Sequence, residues 1–138
     1  MDQQQYRKLI HLAIQARERA YVPYSDFSVG AALLTDHGQF FTGCNIENKS
    51  YPAGLCAERV TMFSAVAAGY RTFEALAVSG WKRGREPENF CMPCGMCLQV
   101  ISEFCGPEFD IYIVKNEEEV RHLKLKDLLP YVFDSLDR

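Results

Sequence analysis

The chain has 138 residues, 48% of them hydrophobic, and a formal charge of −3, so it can bury a core and does not read as disordered. Its densest basic stretch, Lys82, Arg83 and Arg85, is broken by Gly84 and followed by Glu86, which suits a solvated turn and not a nucleic-acid surface. No apolar run approaches the roughly 18 residues that span a bilayer, and residues 1–6 are polar where a signal peptide needs an apolar core.

A cytoplasmic protein with no membrane or nucleic-acid partner is therefore expected. In that compartment thiols stay reduced, and six cysteines in this length favour metal ligation over disulfides.

Apolar positions at helical spacing (Tyr6, Leu9, Ile10, Ala13, Ile14, Ala20, Tyr21) predict a first helix that ends before Pro23. Residues 27–35 and 39–44 read as paired strands joined by the turn Asp36-His37-Gly38. A polar loop over residues 45–55 leads to a helix over 56–68, apolar nearly all round and so expected to be largely buried, with Gly69 as its stop. A short strand over 75–79 and a loop over 80–90 precede Cys91. Leu98, Ile101 and Phe104 mark a further helix ended by Gly106-Pro107. Strands over 109–114 and 120–124 and a short helix over 125–129 complete the pattern. No linker or repeat divides residues 1–138, which read as a single α/β domain, and two strand–helix–strand units predict parallel pairing.

The chemistry concentrates in two segments, Cys56-Ala57-Glu58-Arg59 and Pro93-Cys94-Gly95-Met96-Cys97. Cys94 and Cys97 have the C-x-x-C spacing that grips one ion from a single turn, and Cys56 supplies a third thiolate if the fold returns it. Three protein ligands leave a tetrahedral zinc with one open position, the arrangement of a catalytic site. Each segment opens a predicted helix, so partial positive charge and free N–H groups face the sulfurs. Arg59 adds a full charge beside the thiolates. Residues at i and i+2 do not share a helix face, so Cys56 and Glu58 converge only if the metal sits off the helix end. From there Glu58 can carry a proton from a zinc-activated water to a leaving group.

Two other readings of the same cysteines stand beside this one. Cys91, Cys94 and Cys97 spell part of an iron–sulfur run, and Cys91 can complete a closed four-thiolate zinc site. Neither explains Glu58 and Arg59. Cys44 and Cys105 suit small buried hydrophobes, and His11, His37 and His122 suit surface or packing roles.

With these segments stand residues 24–34 (Tyr-Ser-Asp-Phe-Ser-Val-Gly-Ala-Ala-Leu-Leu), Gly43-Cys44-Asn45-Ile46-Glu47-Asn48 and Leu128-Leu129-Pro130. Together they resemble the cytidine deaminase family, in its small homotetrameric type with a three-cysteine zinc site, along most of the chain. The resemblance implies a three-layer α/β/α fold with a mixed five-stranded sheet. It also implies one zinc ion per chain on Cys56, Cys94 and Cys97, and hydrolytic deamination of cytidine or deoxycytidine in pyrimidine salvage with Glu58 as proton shuttle. Asn45 and Glu47 would hold the ribose hydroxyls, and Phe27 would pack on the pyrimidine. The carbonyls of Ala57 and Met92 would accept from the amino group. Tyr51 and Phe133 would reach the site from neighbouring subunits of a homotetramer.

Two positions depart from the family's usual Ser-Pro-Cys-Gly-x-Cys-Arg-Gln, namely Met92 for serine and Leu98 for arginine. The first alters the space beside the leaving group, which keeps open another cytosine-containing substrate, either an N4-substituted cytidine or a blasticidin-type nucleoside antibiotic. The second removes a cation next to a zinc ligand, or else changes only subunit packing.

Overall fold

The computed structural model describes residues 1–136. A mixed sheet contains β1 (Phe27–Thr35), β2 (Phe40–Cys44), β3 (Phe73–Lys82), β4 (Asp110–Val114) and β5 (Val120–Lys124), in the order β2-β1-β3-β4-β5. Alternate side chains of a strand point to opposite faces, and here both faces are covered. Ala32, Leu34, Ala75 and Ala77 pack with Leu9, Ile10 and Ala13 of α1 (Gln3–Ala16). Leu33, Leu76, Val78, Ile111 and Ile113 pack on the other side with Met62 of α2 (Ala57–Ala67), Leu98 and Ile101 of α3 (Gly95–Phe104), and Leu125 of the short α4 (Leu125–Leu128). The result is the three-layer α/β/α arrangement, and the two central strands are buried nearly without a break because neither face meets water.

Local chemistry sets the element ends. Asp2 caps α1 through the Gln5 N–H at 2.7 Å, and Gln5 Oε1 accepts the Asp2 N–H in return. Gly69, at φ +102°, closes α2 with its N–H on the Val66 carbonyl and the Tyr70 N–H on that of Ala65, as a left-handed terminating residue should. Thr35 Oγ1 accepts from the N–H groups of His37 and Gln39 and braces the β1–β2 turn.

Several expectations are corrected by this fold. Only one strand–helix–strand unit gives an adjacent parallel pair, β3 with β4. β2 and β3 run parallel, but β1 lies between them and pairs antiparallel with both. The first helix stops at Ala16 and tightens into a 3₁₀ turn over Arg17–Arg19. Beyond it, Tyr21 is drawn into an extended bridge with Ile46, and Val22 precedes Pro23, which disfavours helix there. β3 runs to Lys82, well past residue 79, because Gly80 and Trp81 continue its ladder with Val29 and Ser28. α2 buries one face only, and its Phe63 is 43% exposed.

Gly30 lets α1 lie directly on β1. A Cβ there would stand 2.3 Å from the Ala13 carbonyl oxygen and 2.5 Å from the Arg17 nitrogen, both main-chain atoms that cannot swing aside. Gly30→Ala is expected to cost about 3 kcal/mol in urea unfolding. Gly106→Ala, whose Cβ meets nothing within 4 Å, should stay within about 0.5 kcal/mol of wild type.

Candidate metal centre and active site

Cys56 and Cys94 are the N-caps of α2 and α3, and Cys97 lies in the first turn of α3. Cap positions usually carry an oxygen that accepts from the first-turn N–H groups. Neither cysteine makes that bond, so both sulfurs are left to face outward from the helix starts. The three Sγ atoms lie within 4.8 Å of one another, with Cys56 and Cys94 3.8 Å apart. A tetrahedral zinc with bonds near 2.3 Å spaces its sulfurs by about 3.8 Å, and all six cysteines are free thiols. The donor set and its spacing therefore fit zinc.

The charges point the same way. Without a metal, the cluster shares protons unequally. The Cys56 thiol falls to about 5, chiefly through its hydrogen bond with Cys97, against desolvation and with help from Arg59. Cys97 is driven far upward, first by that same bond and then by burial. Three thiolates this close repel each other unless a cation joins them. Arg59 Nη2 supplies part of that charge, donating to Cys56 Sγ at 3.5 Å.

Glu58 is 5% exposed and follows Cys56 by two residues at the start of α2. Burial pushes its carboxyl up to about 7, with the nearby Cys56 adding in the same direction. A carboxyl group poised near neutrality can both take and give a proton.

Cys91 does not join the three sulfurs. Its Sγ packs against Gly80, where a Cβ would come within 2.7 Å, and burial raises its thiol to about 11. The four-thiolate arrangement is thereby set aside, since the metal-ligating cluster found among the described residues is Cys56, Cys94 and Cys97.

A cleft of about 500 Å³ runs from Cys56 toward the loop after β2, bordered by Asn45, Glu47, Tyr24, Tyr51, Cys56 and Arg59. The two predicted ribose residues thus open onto the same cavity as Cys56, one of the three candidate metal ligands. Each is also held by the chain. The Asn45 amide accepts from Val29 N and donates to the Phe27 carbonyl, both at 2.9 Å, which fixes the end of β1. Glu47 Oε1 accepts from the N–H groups of Tyr24 and Ser25 at 3.1 Å. Against desolvation, the bonds from Ser25 and Tyr24 hold its carboxyl below the usual range. Tyr24 and Ser25 carry no periodic signal, so sequence reasoning missed them as the clasp on Glu47.

Other predicted residues stand differently. Phe27 lies against Trp81, ring centroids 6.2 Å apart, and is not part of the cleft wall. The Ala57 carbonyl accepts the Thr61 hydroxyl at 2.7 Å within α2. Met92 is 42% exposed and Tyr51 75%, and Tyr51 meets Tyr24 edge to face. Phe133 is 55% exposed, with its carbonyl accepting from Gln99 Nε2. Leu98, only 6% exposed, is part of the apolar core.

Comparison with known proteins agrees with this geometry. The family profile described as "Cytidine and deoxycytidylate deaminase zinc-binding region" matches residues 3–113. The chain is 45% identical over 130 residues to a cytidine deaminase of Sporosarcina psychrophila, covering 94% of this chain and 92% of that protein. It is 42% identical over 137 residues to one of Halalkalibacterium halodurans, covering 99% and 98%. The crystal structure of cytidine deaminase from Burkholderia pseudomallei superposes with a TM-score of 0.84 at 45% identity, covering 96% of this chain and 100% of that one. The chain belongs to the cytidine and deoxycytidylate deaminase family, whose zinc-binding region it matches, and its Cys56, Cys94 and Cys97 cluster could hold the ion.

Proposed function

We propose that the chain catalyses hydrolytic deamination of cytidine or deoxycytidine to the uracil nucleoside and ammonia, in pyrimidine salvage in the cytoplasm. The observation that carries this reading is a cleft that joins the Asn45–Glu47 loop to Cys56, one sulfur of a three-cysteine cluster that could hold a metal, with the buried Glu58 two residues on. A volume of about 500 Å³ is in the range of small-molecule sites, and among the described residues no helix is long and apolar enough to cross a membrane.

Cys56, Cys94 and Cys97 would hold the zinc, which when bound would lower the pKa of a water toward neutrality. As the oxygen of that water adds to C4, Glu58 would take one of its protons and place it on N3; it would then pass the second proton, from the new C4 hydroxyl, to the amino group, which leaves as ammonia as the C4 carbonyl forms. The carbonyls of Met92 and of Ala57, which also accepts the Thr61 hydroxyl, would accept from the amino group. Asn45 and Glu47 take the ribose hydroxyls with the donor and acceptor capacity that their bonds to β1 and to Tyr24–Ser25 leave over. Arg59 balances the thiolates.

The exposed Tyr51 and Phe133, with Tyr131 93% exposed, support a homotetramer in which these rings complete a neighbour's cleft and Phe27 closes on the base. An N4-substituted cytidine is the second substrate reading, favoured by the exposure of Met92 next to the Pro93-Cys94 segment.

Glu58→Gln should retain zinc by metal analysis while ammonia release from cytidine falls by about 10³-fold or more; near-normal turnover would remove Glu58 from the reaction. The same substitution tests the burial of the carboxyl in chelator-stripped protein. A carboxyl whose folded pKa is raised to about 7 favours the fold fully below pH ~4.5 and loses that contribution as pH rises to 7. Stripped Glu58→Gln should therefore gain up to about 3 kcal/mol over stripped wild type at pH 8, and nothing at pH 4, in urea titrations. Mixing Phe133→Ala chains with Glu58→Gln chains, each impaired alone, should restore activity in hybrid assemblies; failure to do so would place Phe133 in its own subunit's site.

A further inference from the structure

Cys94 reaches the cluster at the end of a stretch, residues 83–94, that contains no helix or strand. A ligand on such a segment is held only as well as the segment is. Its outer contacts are exposed ones. Arg83 pairs with Asp26 at 2.9 Å, both side chains more than half exposed, and Arg121 lies over the Phe90 ring at 4.2 Å. Exposed pairs of this kind hold a segment weakly.

A further contact joins the segment to the sheet and to the end of α1 at once. Arg17 follows α1, in the layer opposite the metal helices, and is half-buried. Its guanidinium donates to three carbonyls at the end of the sheet: Ser28 at 3.4 Å, Lys82 at 3.5 Å and Arg85 at 3.4 Å. One belongs to β1, one to the last residue of β3 and one to the segment itself. Gly30 makes the reach possible by seating the end of α1 on β1. Removal from water lowers the Arg17 pKa, with Glu86 and Cys91 near enough to oppose that shift. Cys91 in turn packs on Gly80 of β3, three residues before Cys94.

We infer that Arg17 is a positioning residue for the metal centre, clamping the β3–α3 segment to the sheet end so that Cys94 meets Cys56 and Cys97. It touches neither metal nor substrate. A planar fork suits the task because its donors are spread over separate nitrogens of one rigid group, whereas an ammonium offers its three from a single point. The inference rests on the zinc reading of the three sulfurs, and its test separates the two.

Zinc-loaded wild type, Arg17→Met, Arg17→Lys and Asp110→Ala are compared by zinc transfer to 4-(2-pyridylazo)resorcinol alongside thermal unfolding. Asp110 pairs with His122 and Lys124 on the β4–β5 hairpin and serves as the control for general destabilisation. Arg17→Met keeps the aliphatic stem and removes the donors; it should release zinc about ten-fold faster, with Arg17→Lys intermediate and Asp110→Ala at the wild-type rate. Release from Arg17→Met at the wild-type rate, or release that follows Tm across Arg17→Met and Asp110→Ala alike, overturns the clamp. Should Arg17→Met not fold, Arg17→Lys decides: faster release than wild type supports the inference, and equal release overturns it. A wild-type chain that takes up no zinc overturns the metal reading itself.

Discussion

Three sulfurs within 4.8 Å of one another, with a buried carboxyl close by, form an arrangement that a protein interior resists. Each thiolate disfavours the next, and each is worth more as a ligand the more negative it is. The fold meets this conflict with positive potential from several directions. Two helix N-termini end at the cluster, Arg59 touches Cys56 and the donor set completes itself with a dication. The same crowding acts on Glu58. A carboxyl with 5% exposure and a neighbouring thiolate keeps its proton to about pH 7, so the environment that suits the metal also prepares a group to exchange protons near neutrality.

Bringing two helix starts to one point requires a stiff platform, and the sheet provides it. β1 and β3 lie at its centre, buried on both faces, and the elements they carry must approach closely at defined places. Glycines mark those places. Gly43 allows β2 to pass Thr61 of α2, where a Cβ would stand 2.5 Å from the hydroxyl, and Gly80 allows Cys91 onto β3. Asn45 ties the end of β2 back to β1 through both ends of its amide, and the Glu47 carboxylate collects two N–H groups from the turn before β1. The cleft wall is thus rigid before any ligand arrives, which is what positioning a small polar substrate demands.

How much of this is legible in the sequence follows from the range of each interaction. The cysteine set is legible because C-x-x-C is a local geometric device, and Glu58 because it sits beside a ligand. β1, β5 and the Gly69 stop are legible for the same reason, since alternation and a left-handed cap are encoded within a few residues. β3 is underestimated because Gly80 looks like punctuation until the neighbouring Cys91 explains it. The insertion of β1 between β2 and β3 is a choice among pairings that no local pattern encodes. Phe63 looks like core on composition, yet α2 has only one neighbour layer, so half of an apolar helix is left outside. Tyr24, Ser25 and Arg17 act through main-chain atoms of distant segments, and a single sequence carries no mark of that.

The two departures from the family pattern now have different weight. Leu98 is 6% exposed and packs in the core with Ile101 and Met62, so its side chain serves the sheet–helix contact and not the sulfurs. Thiolate compensation in this subunit therefore falls on Arg59 and the helix ends. Three thiolates on a dication leave one net negative charge, and one guanidinium at hydrogen-bonding distance is enough to balance it. Arg59 Nε, buried and without a hydrogen-bond partner among the described residues, shows how far that side chain is committed: it gives up a hydrogen bond to keep its terminal nitrogen on Cys56. Met92 lies at the opposite extreme. At 42% exposure beside a buried proline that precedes Cys94, its side chain is constrained little by the core. Variation at position 98 is thus confined by packing, whereas variation at position 92 is little constrained by the core.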